Sequence, residues 1–72
     1  MIDDIRLRIG RQIADLRSQK GMTQQQLADA AGITRVHVSR VESGKYSVGL
    51  DILAKIANAL DVRVGLISSN SI

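Results

Sequence analysis

Apolar residues recur at helical spacing along four stretches of the chain and change to alternation near its end. Ile5, Ile9, Ile13 and Leu16 stand 4, 4 and 3 apart, a stripe along one face of a first helix. Asp3 and Asp4 open that helix, since carboxylates favour the positive end of the helix dipole. Lys20-Gly21 closes it with a basic last turn and a residue that enters the left-handed conformation freely. Gly10 is a weak point inside it. Arg6, Arg8, Arg11, Asp15 and Lys20 largely take the other faces, where Arg6 and Arg8 read as solvated surface. Met22 follows as a staple before Thr23, the expected N-cap of a second helix over 24–31.

In that second helix Leu27 and Ala31 are four apart and share a face. Gly32 supplies the backbone freedom for a sharp turn, Ile33 plugs the corner, and Thr34 caps a third helix over 35–43. There Val38 and Val41, three apart, face inward, and Gly44 stops the helix. Residues 45–49 form a loop. A fourth helix over 50–60 carries Leu50, Leu53, Ile56, Ala57 and Leu60 on its core face, with Asp51 in its first turn. Val62, Val64 and Leu66 then alternate with Arg63, Gly65 and Ile67, which reads as a strand over 62–67. A strand cannot satisfy its backbone alone, and no second candidate exists in the sequence. The expected partner is the same segment of a second copy, paired across a two-fold axis. Residues 68–71 are a polar terminus.

Two short amphipathic helices joined by a glycine turn, with the small Ala28 where their axes approach, have the spacing of a helix-turn-helix. The run MTQQQLADAAGITRVHVSRVESGK resembles that of the Cro/cI-type (XRE-type) DNA-binding family. Thr23-Gln24, Leu27-Ala28, Gly32, Ser39-Arg40 and Glu42-Ser43-Gly44-Lys45 fill the family's characteristic positions. The likeness runs from about residue 13 to about residue 62, roughly two-thirds of the chain. It implies an all-α, lambda-repressor-like bundle of four helices, to which many members add a short fifth. The expected organisation is a DNA-binding domain over 1–62 and a dimerisation tail over 63–72.

Composition narrows the function. The chain has 72 residues, no cysteine, one tyrosine, and no tryptophan, phenylalanine or proline. Its core must be Ile, Leu, Val and Ala, without disulfide or thiolate metal support. No apolar run approaches the roughly 20 residues of a membrane span, and the N-terminus lacks a signal-peptide core, so a soluble cytoplasmic protein is expected. Ten basic against seven acidic residues give a net charge of +3, which agrees with a nucleic-acid partner. The near absence of aromatic residues disfavours RNA. No nucleophile–base pair, phosphate-cradling loop or ligand cluster is present, so no enzyme, cofactor, metal or small-molecule substrate is expected.

The DNA contacts follow from the third helix. A helix fits the major groove and leads with its N-terminal residues, which places Arg35, Val36, His37 and Arg40 at base edges. A guanidinium can fork onto N7 and O6 of guanine, worth roughly 1–3 kcal/mol of discrimination. For each arginine the alternative is a phosphate contact, which adds affinity without sequence information. Val36 would meet a thymine methyl. His37, the only histidine, suits a hydrogen bond to a base or phosphate. The resemblance implies that Gln24 binds a backbone phosphate, where the start of a helix favours anions. Thr34, Ser39, Lys45 and Tyr46 extend the same clamping surface. Glu42, the only glutamate, ends the recognition helix, where a negative charge suits neither dipole nor DNA. Arg17, four before Gly21 as is common in the family, is its expected ion-pair partner.

The leading expectation is a homodimeric, sequence-specific transcriptional repressor on double-stranded DNA, with Val62, Val64 and Leu66 in the dimer contact. An antitoxin subunit that also binds a toxin is one rival. A controller protein of a restriction–modification system is the other, and a fifth helix would favour it.

Overall fold

The computed structural model describes the backbone of residues 2–66 and the side chains of residues 4–66. Four helices follow in order, α1 (Ile2–Gln19), α2 (Gln24–Ala31), α3 (Arg35–Ser43) and α4 (Leu50–Ala59), and no strand occurs among the described residues. Local chemistry sets their ends. After α1, Gly21 takes φ +68° and Met22 N–H returns to the Arg17 carbonyl at 3.1 Å. Thr23 caps α2 through a reciprocal box with Gln26, whose amide oxygen accepts from Thr23 N–H at 2.8 Å. Gly32 (φ +71°) turns the chain and lets Ile33 N–H reach the Ala28 carbonyl at 3.0 Å. Thr34 caps α3 by accepting from His37 N–H at 3.2 Å.

The core is aliphatic, as a chain without Phe or Trp requires. Leu27, Val38, Ile56 and Leu60 are fully buried, joined by Ile13, Ala28, Ala31 and Val41. Each large side chain removed from water contributes roughly 1.5–3 kcal/mol. Ala28 is completely buried where α2 crosses its neighbours.

The structure departs from the expected pattern in four places. Ile5 is 53% exposed rather than part of the core. An 18-residue helix is about 27 Å long and outruns partners of 8 to 10 residues, so Ile5 lies beyond their cover, while Leu7, two residues on, already meets Gly44. Leu50 is 77% exposed. Two three-residue steps before Ile56 place it about 120° around the helix, and Ile52 and Ala59 pack on the core instead. Leu60 is buried as expected but lies in the C-cap of α4. Finally, 62–66 is neither strand nor helix in the single chain, where no backbone ladder is available to pair with; Ile67 lies outside the described residues. Gly10 does not interrupt α1. It is buried, and it is the point at which α1 reaches the backbone of α3.

Candidate nucleic-acid interface

With Val38 and Val41 turned into the core, the helical repeat puts Val36, Ser39, Arg40 and Ser43 on the opposite face of α3. Arg35 flanks this face on one side and His37 on the other. Arg35, Val36 and Arg40 are exposed, while His37 and Ser39 are half-buried. All five candidate reading and clamping residues of α3 therefore share one accessible surface, which the Thr34 cap starts and Gly44 ends. Among the described residues neither Arg35, Arg40 nor Lys45 has an acidic partner, so this face keeps its positive charge for a ligand.

Two neighbours shape its edges. The Tyr46 ring packs against the core and lies 6.0 Å from the His37 ring, tilted by 42°. His37 Nδ1 stands 3.4 Å from Thr34 Oγ1, so the imidazole is confined between the helix cap and the loop. Beyond α3, Ser43 Oγ donates to the Arg40 carbonyl at 2.7 Å and accepts from Lys45 N–H at 3.3 Å, holding the loop to the helix end.

Gln24 occupies the first position of α2. Its amide nitrogen donates to Glu42 Oε1 at 3.1 Å, a contact that spacing along the chain does not reveal. The structure also brings Arg17 and Glu42 together. Arg17 Nε donates to Glu42 Oε2 at 2.7 Å and Nη2 to Oε1 at 3.1 Å, while Nη1 donates to the Met22 carbonyl at 2.7 Å. The pair is largely sequestered, with side-chain exposures of 19% and 7%. The hydrogen bond to Glu42 raises the Arg17 pKa above its ordinary value; burial opposes the rise and Coulomb attraction adds to it. Arg17 is thus a permanent cation, and Glu42 presents no bare charge to a DNA phosphate. The Thr23–Gln26 box and the packing role of Gly10 also went unseen in the sequence pattern, although Thr-x-x-Gln is the usual signature of such a box.

This geometry is a helix-turn-helix with an open, cationic second helix, and the comparison with protein families agrees. Residues 13–67 match the Helix-turn-helix family model. The chain belongs to the XRE-type helix-turn-helix family. Within the family, the immunity repressor protein of Bacillus phage phi105 is 32% identical over 59 residues, 82% of this chain and 41% of that protein. The chain therefore spans less than half of the phage repressor's length. Among solved structures of the family's fold, the restriction-modification controller protein C.AhdI from Aeromonas hydrophila superposes with a TM-score of 0.77. It is 37% identical and covers 79% of this chain and 86% of its own. The clp gene regulator ClgR from Corynebacterium glutamicum gives a TM-score of 0.78 at 30% identity, over 82% of this chain and 76% of its own. No helix among the described residues is long and apolar enough to cross a membrane.

Proposed function

We infer that this protein is a DNA-binding transcriptional regulator, a homodimeric repressor that reads a two-fold-symmetric operator with α3 in the major groove. The observation that carries the reading is the outer face of α3, where Arg35, Val36 and Arg40 are exposed and the arginines are unpaired among the described residues. Arg35, Val36, His37 and Arg40 read base edges; Gln24, Thr34, Ser39, Lys45 and Tyr46 hold the sugar–phosphate backbone. Arg17 and Glu42 hold α1 against the recognition helix α3.

Homodimerisation is supported by the end of the described chain. Val62, Val64 and Leu66 are 37%, 51% and 105% exposed, three apolar side chains within five residues. A contact between two copies removes them from water and sets two copies of α3 one helical turn apart. The similar scores against a controller protein and a clp gene regulator mean that the fold by itself favours neither role.

Selection from a random duplex library at fixed, moderate salt tests this reading. A two-fold-symmetric consensus with half-site centres about 34 Å apart is expected. Weak, salt-sensitive binding with no consensus would refute it.

A further inference from the structure

Glu42 joins the scaffold to the DNA face. Its carboxylate accepts hydrogen bonds from two other elements, two from Arg17 of α1 and one from Gln24 Nε2 of α2. The fork from Arg17 is enough to neutralise the carboxylate. The bond from Gln24 does something else: it fixes which end of a surface amide points where.

We propose that Glu42 is a positioning residue for DNA binding, holding the Gln24 amide so that its nitrogen is available to a backbone phosphate. The proposal rests on the reading that Gln24 takes such a phosphate. A glutamine amide has a donor end and an acceptor end of nearly equal size, and only the donor end can bind phosphate. A carboxylate accepts and never donates, so Gln24 must turn its NH2 group toward Glu42. One of the two N–H bonds is used there, and the other stays on the same nitrogen for the DNA. Arg17 fixes the carboxylate in turn, and through Nη1 it also grips the Met22 carbonyl just before α2. Guanidinium, carboxylate and amide form one chain from α1, across the end of α3, to the start of α2. A glutamine held this way loses no side-chain freedom when DNA arrives, whereas a free one must be ordered on binding.

The proposal has a distinctive sign. Glu42→Gln removes a negative charge beside the DNA face, which by electrostatics alone strengthens binding. Loss of positioning weakens it. Affinities of the wild-type protein, Glu42→Gln, Gln24→Ala and the double variant for the selected duplex should be measured at one salt concentration, with folding checked by circular dichroism. Gln24→Ala is expected to weaken binding about ten-fold per half-site, and Glu42→Gln about 3- to 10-fold. In the Gln24→Ala background only the electrostatic gain is left, so Glu42→Gln should then no longer weaken binding and is expected to leave it unchanged or slightly tighter. Equal or tighter binding by Glu42→Gln overturns the proposal, as does a weakening that persists undiminished without Gln24. Undiminished binding by Gln24→Ala overturns the phosphate reading itself, and the proposal with it. Should Glu42→Gln not fold, side-chain 15N relaxation of the wild-type protein decides. The Gln24 amide is expected to be as ordered as the backbone, and motion equal to that of the exposed Gln19 amide overturns the proposal.

Discussion

Gly10 sits where α1 presses against the last turn of α3, and a side chain has no room there. A Cβ at this position would run into the Val41 carbonyl oxygen and lie 2.7 Å from that of Glu42. Both are backbone atoms, which cannot swing aside. Gly10→Ala gains about 1 kcal/mol of helix propensity, yet overpacking of this kind costs typically about 1–3 kcal/mol. A net loss is expected, seen as a Tm several degrees lower in thermal unfolding by circular dichroism. An unchanged or higher Tm would mean that the two helices do not meet at Gly10. The sequence pattern marks Gly10 as a weakness because periodicity describes one helix at a time and says nothing of what lies against it. The Arg17–Glu42 pair is different, since the position of the only glutamate already calls for a nearby cation.

The boundaries of α2 and α3 are legible in the sequence because each is written in a few adjacent residues. Thr23 and Thr34 each accept from the backbone N–H three residues on, and Gly32 and Gly44 take positive φ. Thr34→Ala removes the cap of the recognition helix and should cost about 1 kcal/mol in urea denaturation. A loss of only a few tenths would show that core packing alone holds the start of α3. The same local rules say less about which turns are covered. Ile5 and Leu50 fit helical stripes but stand exposed, because coverage depends on the length and crossing of neighbouring helices. The outer face of α3 could be read because its inward residues, Val38 and Val41, are so plainly apolar. The Gln24–Glu42 contact joins residues 18 apart and becomes visible only once the helices are packed.

At the scale of the whole molecule, two surfaces of opposite character stand out: the cationic face of α3 and the apolar segment 62–66. The alternating pattern of that segment suggests a strand, but backbone pairing is not a property that one short segment can have alone. Leu66→Asp is expected to shift the protein toward monomer in sedimentation equilibrium and to weaken operator binding while leaving the helical content unchanged. A variant that sediments like the wild-type protein would remove Leu66 from the dimer contact. The central claim is that α3 reads base sequence, and it is tested most directly by one set of binding isotherms. Wild-type protein and Arg40→Ala would be titrated, at a single salt concentration, against the selected site and against duplexes changed at each base pair of a half-site. The account predicts that Arg40→Ala loses discrimination at one base pair per half-site, by roughly 1–3 kcal/mol, and keeps it elsewhere. A uniform weakening across all the duplexes, with every preference intact, would make Arg40 a phosphate contact and contradict the claim.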